Sequence, residues 1–240
     1  MEINIADRIA RSFDSVFWDG QDHGHTFYWL PGGRGSTKSS FVGIEVPLLL
    51  MQHPQCHAVV LRKVGNTIKN SVYPQIQWGI EQLCVADRFK CITSPHEITY
   101  KATGQKILFF GVDDPMKVKS IKLPFGYVGI VWYEELDQFS GVEEIRNLNQ
   151  SLLRGGETYW VFASYNPPKS RNNWVNEEIL NEYPDRLVHK TTYLDVPREW
   201  LGEQFLLEAE KLKAKNETAY NHEYLGEVTG TGGAVFENVE

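Results

Sequence analysis

The sequence predicts an α/β domain built on a mainly parallel central sheet with flanking helices. Two patterns carry that prediction. Short apolar runs alternate along the chain with longer helix-period segments. Several of those runs are continuously apolar rather than alternating, as expected of strands covered on both faces.

Composition agrees. The chain has 240 residues, 42% apolar and 23% charged, which excludes a disordered polymer and supplies ample core material. Length alone allows one large domain or two small ones. A net charge of −7 argues against a surface basic everywhere, as in a histone-like DNA coat, but leaves room for a local basic track. No window approaches 18 consecutive apolar residues, so no membrane span is predicted. The charged start lacks the apolar core of a secretory signal. Cys56, Cys84 and Cys91 form an odd set without a CxxC pair and read as free thiols of a reducing cytoplasm. DHGH at 22–25 and HPQCH at 53–57 lack a second ligand pair and read as turns rather than metal sites.

Taken in order, the first strand is FYWL at 27–30, followed by a helix near 38–50 that Pro47 should end or kink. A strand at 57–62 leads to a helix near 66–86, and strands follow at 106–112 and 127–133. A helix near 142–153 precedes the strand at 159–165, and another near 173–181 precedes the strand at 186–193. The last helix, near 198–225, begins after Pro197, a favourable start residue.

Between the first strand and first helix lies Gly32-Gly33-Arg34-Gly35-Ser36-Thr37-Lys38-Ser39-Ser40. It fits the phosphate-loop template G-x-x-x-x-G-K-[ST] except that Thr37 replaces the last glycine. Small residues let successive N–H groups turn toward phosphate oxygens, and the helix N-terminus adds partial positive charge. Lys38 would bridge the outer phosphates of ATP and Ser39 would ligate Mg²⁺. Thr37 is a departure, because glycine tolerates backbone conformations that a β-branched residue resists.

A nucleotide hydrolase of this kind needs one acid for Mg²⁺ and a second for the attacking water. Glu134 and Glu135 end the apolar strand 127–133, and we assign Glu134 to the metal and Glu135 to the water. Asp137, past the strand end, competes for either role.

The ordered set GGRGSTKSS, VVLRKVGNTIKNSVY, ILFFGVDDPMKVKS, IVWYEELDQF, QSLLRGG, FASYNPP, TTYLD and YLGEVTGTGGAVFENVE resembles the large terminase subunit of tailed bacteriophages, particularly its PBSX-like branch. The resemblance runs from about residue 27 to 240, and in that branch Thr in the loop and an EE pair are common. It implies a RecA-like P-loop ATPase of the ASCE type, the motor that drives double-stranded DNA into a preformed capsid. It further implies a motor domain over 1–226, a seam over 227–240, and a nuclease half beyond it, so that this chain is part of a longer protein without competent nuclease of its own.

The resemblance also implies portal protein, small terminase subunit and a ring of like subunits as partners, and the infected host cytoplasm as location. Ser164 and Asn166 resemble the coupling motif that senses the γ-phosphate. Arg34 would stabilise γ-phosphate charge within the subunit, and Arg154 would do so across a ring interface. Arg62, Lys63, Lys117, Lys119, Lys122, Lys169 and Arg171 are the candidate DNA contacts, because a translocase needs only sequence-independent cations. Three rivals stand beside this reading. A helicase-like ATPase would need a second RecA-like domain, a metabolic kinase would need an acceptor pocket, and a nucleotide-independent scaffold is opposed by the intact Lys38-Ser39 and Glu134-Glu135.

Overall fold

The computed structural model describes residues 4–113, 118 and 120–230. Its principal elements are α1 (Asp14–Gln21), β1 (Phe27–Pro31), α2 (Lys38–Gln52), β2 (Cys56–Arg62) and α3 (Val72–Gln82). They continue with β3 (Phe89–Thr93), β4 (His96–Tyr100), β5 (Lys106–Gly111), β6 (Tyr127–Glu134), α4 (Val142–Leu152) and β7 (Trp160–Tyr165). The C-terminal part holds α5 (Trp174–Glu178), β8 (Arg186–Val188), α6 (Arg198–Leu201), α7 (Glu203–Lys215) and α8 (Glu217–Glu223).

One eight-stranded sheet runs in the order β3-β4-β5-β2-β6-β7-β1-β8. The six strands from β5 to β8 are parallel, and β3 and β4 join as an antiparallel edge. Both faces are covered. Tyr28, Leu30, Val60, Trp132 and Phe162 point into one core with α1, α2 and α3. Trp29, Leu61, Val131, Tyr133 and Val161 point into a second with α4. Alternate residues of one strand thus enter two buried layers, which explains the unbroken apolar runs.

The departures from expectation have local causes. Pro47 does not end α2, which runs on to Gln52. Proline removes the N–H that would bond the Gly43 carbonyl one turn earlier, and α3 packs against that carbonyl instead. A Cβ added to Gly79 would stand 1.9 Å from Gly43 O. Gly79→Ala is therefore expected to force the two helices apart and cost about 2–3 kcal/mol in urea denaturation. Unchanged stability would show that α3 slides freely.

The helix expected from 66 starts at Val72, after a 3₁₀ turn over Gly65–Asn70. Pro74 then falls in the first turn, where its missing N–H has no intrahelical partner to lose. The single helix expected over 198–225 is three, broken at Gly202 (φ 79°) and at Asn216, whose side chain caps α8 by accepting from Ala219 N at 3.0 Å. The strand expected over 186–193 is three residues long, and its continuation bonds Thr191 N to Pro31 O at 3.2 Å beside the loop. Helix α1 and the β3–β4 hairpin are not among the elements that the sequence predicts. The C-terminal end of α2 is pinned by the buried Gln105, whose Nε2 donates to the carbonyls of Leu50, His53 and Cys56 at 2.7, 2.9 and 2.7 Å.

Candidate active site

Topology assembles the site. Strand β7 lies between β1 and β6, and all three are parallel, so their C-terminal ends meet at one edge. The loop after β1, Asn166 after β7 and the acidic pair at the end of β6 are therefore neighbours. Ser164 is in register with both Leu30 and Glu134, and Gly32 N donates to Tyr165 O at 3.1 Å. The resulting cleft of about 590 Å³ is lined by Arg34, Gly35, Lys38, Ser39, Glu134, Glu135, Asp137, Gln138, Ser164, Tyr165 and Asn166.

Thr37 occupies the left-handed region, φ 58° and ψ 13°, as the N-cap of α2. This is the conformation for which the template prefers glycine, and a non-glycine residue there costs about 1–2 kcal/mol. Glu135 is also left-handed, φ 55° and ψ 54°. Glu135 lines the cleft and Thr37 directly precedes the lining residue Lys38, and strain of this kind collects at functional sites.

Lys38 Nζ donates to the carbonyls of Gly32 and Gly33 at 3.2 and 3.3 Å, to Ser36 Oγ at 3.4 Å and to Asn166 Oδ1 at 2.5 Å. Burial pushes its ammonium down to about 8, with Glu134 and then Asp137 pulling the other way. The lysine thus ties the loop to the end of β7. Ser164 is buried and accepts from Trp132 Nε1 at 2.9 Å, tying β7 in turn to the acid-bearing strand.

The acidic pair has a basic partner. Arg62 Nε lies 2.8 Å from Glu134 Oε2, and its Nη2 donates to Glu135 Oε2. Burial raises the Glu134 carboxyl above its ordinary value, opposed first by Arg62 and then by Lys38. Burial also raises Asp137, opposed by its own backbone and by Lys38. The Glu134–Arg62 approach is a charge contact rather than an aligned hydrogen bond, since Glu134 Oε2 accepts none. With the Ser39 hydroxyl in the first turn of α2, this leaves two hard oxygen donors in one cleft, a set that suits Mg²⁺.

The expected DNA contacts do not form one surface. Arg62 is 7% exposed and committed to the acidic pair, so it is not a surface cation. Lys63 is engaged by Glu144 at 2.6 Å and Ser140 at 2.9 Å. Lys169 and Arg171 are exposed just beyond Asn166. Lys122 is exposed between Ile121 and Leu123, which line a hollow with Tyr127 and Arg154 at the opposite end of β6. Arg154 therefore lies far from the cleft of its own chain. Lys117 and Lys119 lie outside the described residues, as does the seam from 231 onward.

Sequence reasoning missed the partnership of Arg62 and a second hollow of 360 Å³. This hollow opens beside Thr37, Ser40 and Phe41 and is walled by the 7–10 segment, Trp78, Gln82 and Trp200. The only signal was the tryptophans, which no spacing ties to the loop. Gln21 is bonded to Glu45 at 2.9 Å and to Gln52 at 2.7 Å. Among the described residues no helix is long and apolar enough to cross a membrane.

Comparison with known proteins gives the family and supports the fold. A family described as phage terminase large subunit matches residues 24–227. The terminase large subunit of Bacillus phage SPP1 is 37% identical over 245 residues, covering 100% of this chain and 57% of that protein. The large terminase of a thermophilic bacteriophage superposes with a TM-score of 0.72 at 13% identity, covering 91% of this chain and 53% of that one. The complex of that large terminase with ADP superposes at 0.66, with the same identity and coverage. The chain thus spans little more than half the length of these proteins.

Proposed function

We propose that this chain, which belongs to the phage terminase large-subunit family, hydrolyses ATP with Mg²⁺ to move double-stranded viral DNA into a procapsid. The observation that carries the reading is the convergence of Lys38, Ser39, Glu134, Glu135 and Asn166 on one cleft at the end of a strained phosphate loop. The ADP complex of the thermophilic phage's large terminase supports a nucleotide there.

Lys38 exchanges the loop carbonyls and Asn166 for outer phosphate oxygens, and its bond to Asn166 makes β7 responsive to that exchange. The loop over 32–40 forms the cradle at the start of α2, with the backbone N–H groups of Gly33, Gly35, Ser36, Thr37, Lys38, Ser39 and Ser40 as its donors, while those of Gly32 and Arg34 are bonded to Tyr165 O and Glu223 O. Ser39 and Glu134 are the residues that would hold Mg²⁺, which when bound neutralises phosphate charge. Glu135 orients water for in-line attack on the γ-phosphate, and Arg34 meets charge developing there. The hollow walled by Trp78 and Trp200 receives the base, where a planar ring stacks at low ordering cost.

Residues 1–226 form the motor domain and 227–240 lead toward a nuclease half. Lys169 and Arg171, exposed next to Asn166, are the DNA contacts that hydrolysis reaches most directly, with Lys63 and Lys122 as further cations. Arg154, remote from its own cleft, acts on a neighbour in a ring. The portal protein and the small terminase subunit complete the assembly in the cytoplasm of the infected host.

The test is Mg²⁺-dependent phosphate release from ATP at high protein concentration, for wild type, Lys38→Ala and Glu135→Ala. Both variants are expected to lose turnover by at least about 10²-fold, with ATP binding retained only by Glu135→Ala. Turnover retained in both variants would place the chemistry elsewhere.

A further inference from the structure

We propose that Glu223 is a positioning residue for Arg34, holding it at the cleft wall in competition with the terminal phosphate of a bound nucleoside triphosphate. The inference rests on the nucleotide reading above and adds to it a carboxylate outside the loop and outside the acidic pair.

Arg34 lines the cleft together with Lys38, Ser39 and the acids. Among the described residues its ion-pair partner is Glu223 at the end of α8, with Nε 3.8 Å from Oε2. The backbones are joined as well, since Arg34 N donates to Glu223 O at 2.9 Å. Both side chains are open to solvent, Arg34 at 65% and Glu223 at 42%. The guanidinium is therefore free to turn between two partners rather than locked in a buried pair.

The platform beneath Glu223, in contrast, is fixed. A Cβ on Gly33 would stand 1.9 Å from Tyr224 O, so loop and helix end are in direct backbone contact. Tyr224 packs on Phe205, Tyr193 and Tyr220, and the Tyr193 and Tyr220 hydroxyls are bonded at 2.8 Å. The carboxylate is thus presented to Arg34 from a rigid aromatic support that cannot drift from the loop.

A γ-phosphate offers Arg34 more charge and more acceptor oxygens than one carboxylate does. With a triphosphate bound, Arg34 leaves Glu223; with a diphosphate, Glu223 retains it. Glu223 therefore weakens triphosphate binding selectively and narrows the preference for ATP over ADP.

The experiment measures the affinities of ADP and a non-hydrolysable ATP analogue by titration calorimetry, on wild type, Glu223→Gln, Arg34→Ala and the double variant. Glu223→Gln is expected to raise the analogue-to-ADP affinity ratio about two- to fivefold, the scale of an exposed ion pair. It should do so only while Arg34 is present, and Glu223→Asp should return the ratio toward wild type. A ratio unmoved by Glu223→Gln, or one that moves equally in the Arg34→Ala background, overturns the inference alone. A wild type that binds neither nucleotide overturns it together with the nucleotide reading.

Discussion

Replacing Arg62 by alanine is expected to cost about 3 kcal/mol of folding stability and to abolish turnover. The side chain is 9% exposed and faces Glu134, 16% exposed, and Glu135, 40% exposed. Most of the stability loss comes from Glu134, because water screens the more open Glu135. Burial already raises the Glu134 carboxyl, and Arg62 is the strongest influence holding it down. Without the guanidinium that carboxyl rises further, which weakens it as the anionic metal ligand proposed above.

Two variants separate the effects. Arg62→Lys keeps a charge but loses the planar fork that reaches two carboxylates at once, so stability should largely survive while kcat falls. Arg62→Met combined with Glu134→Gln removes both buried charges and should recover much of the stability without recovering turnover. Denaturant titration and phosphate release on the same samples read both quantities. An Arg62→Ala protein as stable as wild type would mean that the acidic pair does not depend on this cation.

Arg62 also shows where sequence reading ends. A basic residue at the end of an apolar strand reads the same whether it meets DNA or a neighbouring strand's carboxylates. Only the adjacency of β2 and β6 in the sheet decides between them. The features that were legible are local in sequence. The spacing in 32–40 marked the turn between β1 and α2 that lines the cleft, and Thr37 stood out as the residue where a glycine-like backbone was required; its φ is 58°. The parallel sheet was legible because β2, β6 and β7 are buried on both faces, which leaves no polar alternation to mislead.

The rest depended on contacts between distant segments or on breakers outweighed by periodicity. Pro74, Gly202 and Asn216 each carried a boundary signal that the apolar spacing around them masked. The edge strand β3 of the hairpin β3–β4, FKCIT, is largely exposed and too short to carry a continuous apolar run like those of the interior strands. The hollow beside Thr37 is walled by the 7–10 segment, α3 and α6, and no pattern within any one of these announces the others.

Glu45 is the second residue from which a large effect is expected, and its effect is on stability as a function of pH. It lies within α2, 1% exposed, among the side chains of the first core. Gln21 Nε2 donates to its Oε1 at 2.9 Å, while Oε2 has no partner. Burial pushes the carboxyl up to about 8, only partly opposed by Gln21. The folded state therefore holds a proton that the unfolded chain releases near pH 4.5. Between those values the native state binds more protons than the unfolded one, so stability falls as pH rises and levels off above about 8. The slope for one such group approaches about 1.4 kcal/mol per pH unit. Glu45→Gln keeps the shape and the bond to Gln21 while removing the ionisable proton. Urea denaturation from about pH 5.5 to 8.5 should show wild type losing stability across the range and the variant losing much less, so that the two diverge most at the alkaline end. Parallel pH profiles would mean that Glu45 gains a compensating partner when it ionises. Because α2 begins at Lys38, a charged Glu45 also loosens the helix on which the phosphate loop is mounted, and weakened nucleotide binding at alkaline pH should be relieved by the same substitution.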